Sequence, residues 1–318
     1  ASYTNTFVAQ FYGAKKFSEI GRVVWQAFYF ALAGYAVVAA GLIPHTDALL
    51  GAIGSSAEVT GYAVAYMDIR LGGALFVFVN FCVVGFLRGV GDTRTPMKVV
   101  LGTNVLNVAL TWALVFGELG FPALGVRGAA AGTVASQAVA TVIYLILFFR
   151  RTYTRYGSRG PHPPSWSLLR RWLRVGLPTG VWWVLQMGGF TVFTVFVSTL
   201  GDEVLAGHQI VRQMMHLSFL PGVALSITAT ILVGQYIGAG DLEAAARAAK
   251  TSMKIAALIM GSISLTFVLL RHPIAALFSP DPAVQEVAAN LFFFAGSIIR
   301  ESPLRFILPK KGRNTGQK

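Results

Sequence analysis

The strongest constraint in this chain is a series of long apolar runs with almost no charge inside them. One of them, "LGGALFVFVNFCVVGFL" at 71–87, carries no charged residue. The hydrocarbon core of a bilayer is roughly 30 Å thick and a helix rises about 1.5 Å per residue, so about 20 apolar residues make one crossing. Runs of that kind cover 23–43, 61–87, 97–116, 128–149, 175–200, 204–237, 252–270 and 284–299. The sixth exceeds one straight span, and Pro221 with Gly222 predicts a bend in it. A shorter stub at 2–14 precedes them. The pattern predicts an all-α membrane protein, a polytopic helical bundle of about eight full helices plus the stub.

Composition excludes several alternatives. Hydrophobic residues make up 55% of the chain and charged residues 12%, about half the charged share of a soluble domain. Cys82 is the only cysteine, so neither an intrachain disulfide nor a zinc knuckle can form. The N-terminal residues lack the order of basic, apolar and small residues that marks a signal peptide. The net charge of +13 does not predict a nucleic-acid partner, because the cations lie between apolar runs rather than on one soluble face.

Those cations predict topology. Of 26 Lys and Arg, 22 lie in alternate connections, among them Lys15, Lys16, Arg88, Arg94, Arg150, Arg155, Arg174, Arg247 and Lys250. The opposite connections hold only Arg127 and Arg271. The basic set is therefore expected in the cytoplasm of a cell whose inner (plasma) membrane the chain crosses many times. The longest basic connection, 150–174, is rich in Pro and Gly and divides the chain. The expected organisation is an N-terminal lobe at 1–149, a cytoplasmic linker at 150–174, a C-terminal lobe at 175–299 and an aberrant polar tail at 300–318.

The two lobes repeat each other. "VAQFYGAKKFSEIGR" at 8–22 is echoed by "VGQYIGAGDLEAAAR" at 233–247, with Val, Gln, Gly, Ala and Arg in register. Glu58–Val59 and Glu286–Val287 continue the match after a small drift. Both copies of the opening motif leave the membrane on the basic side, which predicts a parallel repeat about an axis along the membrane normal. Measured against the second copy, the first lobe lacks roughly 60 residues at its start, so the chain is expected to be truncated at both ends.

Four further strings carry a resemblance. "GVGDTRTP" at 89–96, "LGVRGAAAGT" at 124–133, "LAGHQI" at 205–210 and "ILVGQYIGAGD" at 231–241 occur in the order seen in the multidrug and toxic compound extrusion family, and the chain resembles that family over 1 to about 296. The resemblance implies two six-helix lobes in a twelve-helix fold, of which this chain holds part. It also implies a monomeric antiporter, with a small drug-like substrate and the lipid bilayer as partners. Such a protein expels amphipathic, often cationic compounds by alternating access. It uses no cofactor, and its coupling ion is H+ or Na+. Read as local structure alone, Thr95 is a helix N-cap with Pro96 at N1, and the Gly and Ala residues of 128–132 let helices approach closely.

Polar residues inside spans are functional candidates. Asn104, Asn107 and Thr111 recur at three- and four-residue spacing, while Thr133, Gln137 and Thr141 recur every four. They can line a cavity or simply bond helices together. Asn107 and Thr133 match family positions, whereas Thr111 stands where the proton-coupled branch has an aspartate. Gln186 stands where the sodium-coupled branch has a glutamate, eight residues after Pro178. That departure favours a DinF-like branch. His208 and Arg212 are secondary candidates, with His216 on the same stripe. Asp68 and Arg70 read as interfacial. No catalytic or metal-ligating set is present. The sequence has no G-x-S-x-G elbow, no H-E-x-x-H and no P-loop, so an enzyme is not expected. A lipid-linked saccharide flippase of the same superfamily and a transport-incompetent fragment remain as alternatives.

Overall fold

The computed structural model describes residues 4–51, 56–157, 160 and 162–307. Twelve α-helices fill the described residues: α1 Thr4–Gly13, α2 Phe17–Gly41, α3 Thr46–Gly51, α4 Ala57–Gly72, α5 Ala74–Gly89, α6 Arg94–Phe116, α7 Val126–Phe148, α8 Trp166–Ser198, α9 Asp202–Gly238, α10 Leu242–Leu269, α11 Arg271–Phe278 and α12 Pro282–Ile307. Six are long and apolar enough to cross a membrane, or seven spans if the bent pair α4–α5 counts as one. The eighth expected span lies in α12, which begins at Pro282 and continues past 299 to Ile307. The rest of the expected polar tail, 308–318, lies outside the described residues.

The helices are apolar on the outside. Val108 on α6 is 70% exposed and Val184 on α8 is 71% exposed, an arrangement that water would not tolerate but lipid does.

By its internal contacts the chain forms two compact units. The first is Ala1–Val175 with Gly234–Asp241, and the second is Gly176–Val233 with Leu242–Lys318. The core of the first is aromatic. Phe86 and Phe148 meet edge to face at 5.3 Å, and Phe28 meets Phe148 at 5.5 Å. Val8, Ile20, Val23, Val24, Val83 and Leu87 fill the space around them. In the second unit Val211, Met260, Phe267, Ala275, Ala288 and Phe292 form the core.

Two expectations change. The run at 61–87 is not one helix. It breaks at Gly73, and α4 and α5 diverge by 43°. The break is tolerated because the Tyr35 hydroxyl donates to the Gly72 carbonyl at 3.0 Å, supplying a partner to a group that lipid could not satisfy. Thr95 is not the N-cap of α6, which begins one residue earlier at Arg94. Asp92 Oδ1 accepts from the Thr95 N–H at 3.0 Å, the service an N-cap side chain gives a first-turn donor. The long sixth run is one helix, α9, from Asp202 to Gly238, with Pro221 inside it.

Glycines set the closest approaches. A methyl carbon built on Gly128 would lie 2.3 Å from the Leu114 carbonyl oxygen, and one on Gly132 would lie 2.8 Å from Thr111 Oγ1. The "GAAAG" string is thus the seam of α7 against α6, small residues allowing backbones to touch.

The repeated motif packs on itself. Within the first unit, Gly13 faces the carbonyl oxygen of Gln235, and Gly238 faces that of Gln10. The contacts are reciprocal, since the four residues are two pairs of counterparts in the repeat. The helix ends match as well, with the Ala14 N–H donating to the Gln10 carbonyl at 3.0 Å and the Ala239 N–H to that of Gln235 at 2.9 Å. A local two-fold relation between the motif copies follows.

The connection between α7 and α8 is docked rather than loose. Gln26 Nε2 donates to the Pro163 carbonyl at 2.8 Å, while its Oε1 accepts from the Ser165 N–H at 2.9 Å. Tyr29 donates to the His162 carbonyl at 3.0 Å. Tyr156 is buried against Phe17, Tyr12 and Phe86.

Candidate functional site

The polar residues of the spans sort by whether the protein already uses their atoms. Asn80, on α5, donates through Nδ2 to Gln137 Oε1 at 2.9 Å and to the Gln137 carbonyl at 3.2 Å. Its Oδ1 accepts from Thr141 Oγ1 at 2.9 Å. Asn80 and Thr141 are buried. This cluster ties α5 to α7 and spends its hydrogen-bonding capacity doing so.

A second cluster ties α6 to α7. Asn107 Nδ2 donates to Ser136 Oγ at 3.2 Å, and Ser136 donates to the Thr133 carbonyl at 2.8 Å. The Thr133 hydroxyl donates to the carbonyl of Ala129, one turn back, at 2.9 Å.

Other atoms have no such use. Thr111 Oγ1, Gln186 Oε1 and His208 Nε2 are buried atoms without a hydrogen-bond partner among the described residues. A buried polar atom left unpaired costs on the order of 1–3 kcal/mol, so each needs an explanation. Thr111 lies on α6 of the first unit, one helical turn from Asn107. Gln186 and His208 lie on α8 and α9 within the second unit. His208 meets the edge of Phe193 with ring centroids 5.3 Å apart. On the stretch of α8 from 181 to 192, Gln186 is the one residue that is not exposed.

The sequence-derived candidates therefore divide. Asn107, Thr133 and Gln137 are brought into helix-bonding clusters. Thr111, Gln186 and His208 are left with free atoms. Asn104 and Arg212 are exposed and join neither set. Asp68 accepts from Thr46 Oγ1 at 2.6 Å. Spacing singles out neither Asn80 nor Ser136. The signal for Asn80 is its isolation, a lone amide in an apolar run.

No group of three His, Cys, Asp or Glu side chains that could hold a metal ion occurs among the described residues.

Comparison with known proteins gives the context. A family model described as MatE matches residues 2–113 and 178–300. A protein of Thermotoga maritima described as "Probable multidrug resistance protein NorM" is 31% identical over 282 residues, covering 88% of this chain and 60% of that protein. One of the same description from Aromatoleum aromaticum is 32% identical, covering 90% and 62%. The "Multidrug resistance protein PmpM" of Pseudomonas aeruginosa is 31% identical, covering 92% and 62%. The chain thus spans about three fifths of the length of these relatives. Among solved structures, the outward-facing conformation of a multidrug resistance MATE family transporter of the MOP superfamily superposes with a TM-score of 0.84 at 22% identity. It covers 95% of this chain and 67% of that one. A crystal structure of MATE in the straight conformation gives 0.83 at 22%, again covering 95% and 67%. At that identity the likeness speaks for the fold. The family model covers both halves of the chain, and the structural likeness extends through nearly all of it: this chain belongs to the MatE family.

Proposed function

We propose that this chain forms the greater part of a secondary active efflux transporter. It exports amphipathic, often cationic, drug-like molecules or metabolites across the plasma membrane, in exchange for protons or sodium, by alternating access. The observation that carries the reading is the MatE match over 2–113 and 178–300, joined by relatives whose descriptions name multidrug resistance. The chemistry of transport needs no cofactor and no covalent step. The basic connections face the cytoplasm by the charge asymmetry, and the working unit is a monomer.

Five described residues carry a buried polar side-chain atom without a partner, Thr4, Thr111, Trp172, Gln186 and His208, and the three of them that the sequence also singles out are the cargo-facing groups in this reading. Thr111, Gln186 and His208 offer neutral acceptors or a hydroxyl to a cation without adding a fixed charge. Gln186, an amide where the sodium-coupled relatives carry a glutamate, supports protons over sodium as the coupling ion.

The test is ethidium accumulation in a pump-deficient host expressing the protein that contains this chain. Lower accumulation that returns to the host level when the proton gradient is collapsed, but not when the sodium gradient is, supports the proposal. Unchanged accumulation contradicts it.

A further inference from the structure

Groups that can take up and release a proton are scarce inside the long apolar helices. Helices α2, α6, α7, α8, α9 and α10 carry no Asp or Glu beyond their first turns. In the bent pair α4–α5, Glu58 stands in the first turn and Asp68 already accepts from the Thr46 hydroxyl. The histidines of the six long helices are His208 and His216, both on α9. Imidazole is the side chain whose ordinary titration falls between about pH 5 and 8. His216 is exposed. His208 differs, because its Nε2 is buried and has no hydrogen-bond partner among the described residues.

The elements around His208 belong to the second unit. On the α8 side its ring meets the edge of Phe193, and α8 carries no charged residue from 176 to 198. On the α12 side the neighbouring Gly207 lies against Val287, where a methyl carbon would fall 2.8 Å from Val287 Cγ1. The charged groups of these elements stand at the surface. Arg212, one turn along α9, is exposed, as are Asp202 and Glu203 at its start, Glu286 on α12 and His272 on α11. Arg271 lies over the ring of Phe293. Gln186 precedes Phe193 by seven residues, two turns along α8 and within roughly 20° around it. The free Gln186 Oε1 and the ring that meets His208 thus share one face of α8. By the charge asymmetry the start of α9 is its outer end, and His208 lies six residues, roughly 9 Å, inside it.

We propose that His208 is the proton-carrying group of the second unit, and that its Nε2 holds either a proton or a cationic cargo. A neutral imidazole has one acceptor nitrogen, so the two occupants exclude each other. Neutral His208 accepts a hydrogen bond from an N–H of the cargo. A proton arriving from the outer side takes the same lone pair. The ring then becomes a second cation one turn from Arg212 and repels positive cargo toward the outside. The proton leaves His208 when the next cargo molecule claims the lone pair. The proposal rests on the efflux reading and adds to it the residue at which the exchange takes place.

The experiment follows proton release as ethidium binds to the purified protein that contains this chain, in weak buffer with a pH-sensitive dye. One-for-one exchange predicts about one proton released per ethidium on the acid side of the titration, and a Kd that rises roughly tenfold for each pH unit lost there. The His208→Gln protein is expected to release no proton and to change its Kd less than about twofold between roughly pH 5 and 8. A companion protein with His45, His162, His216 and His272 all replaced by Gln keeps His208 and is expected to keep the release. Release that persists in folded His208→Gln protein overturns the assignment. So does ethidium binding without proton release in the unaltered or the companion protein. Ethidium that does not bind to folded, unaltered protein contradicts the efflux reading itself and takes the assignment with it, so the two failures are told apart.

Discussion

At the residue scale, the fold separates polar atoms that bond helices from polar atoms that wait for a partner. The two kinds predict opposite mutational behaviour. Replacing Asn80 by Leu leaves Gln137 Oε1 without its donor and removes one of the three acceptors of the Thr141 hydroxyl, which keeps the carbonyls of Phe76 and Gln137. Interhelical hydrogen bonds inside bilayers contribute about 0.6–2 kcal/mol each, so thermal unfolding in detergent is expected at a lower temperature. Replacing Thr111 by Val keeps its shape and removes an unpaired hydroxyl. Unfolding temperature is expected to hold or rise while the KM for ethidium export increases several-fold. A Thr111→Val protein with unchanged KM contradicts its place in the pathway. The sequence shows the polar stripes but not this division. At about 100° per residue, Asn104 and Thr111 fall within roughly 20° of each other around α6, yet two turns apart along it. Spacing thus assigns both to one face. Only the course of α7 beside α6 decides that Thr111 is covered while Asn104 is exposed.

At the element scale, the helices themselves are readable, because each needs an apolar run and few other arrangements satisfy the backbone in lipid. Their interruptions are not. The break at Gly73 depends on Tyr35, 37 residues away, reaching the Gly72 carbonyl. The start of α6 depends on Asp92 rather than on the expected Thr95. The docked connection between α7 and α8 reads as a linker in the sequence, since Pro, Gly and Arg give no sign that Gln26 clasps it. Substituting Gln26 by Ala removes both bonds to 163 and 165. The expected outcome is markedly faster cleavage by trypsin at the arginines of 150–174, with the rest of the protein resistant. At the α6–α7 seam, Gly128→Val forces side-chain bulk onto the Leu114 carbonyl. Overpacking of this kind costs about 1–3 kcal/mol, and a marked fall in unfolding temperature is expected.

At the scale of the whole molecule, the duplicated motif is legible because Gln, Gly-Ala and Arg recur in register within otherwise generic apolar sequence. That the copies touch each other is not legible, since a repeat records descent and not contact. The fold supplies that step. Its reciprocal contacts relate the two copies of the motif locally, within the first unit. The central claim is that the protein containing this chain couples drug export to an ion gradient. The most direct measurement is ethidium flux in proteoliposomes of the purified protein under an imposed pH gradient or an imposed sodium gradient. The account predicts flux against ethidium's own gradient when protons run the opposite way, abolished by a protonophore and absent with sodium alone. Folded, monodisperse protein that moves no ethidium under either gradient would contradict it.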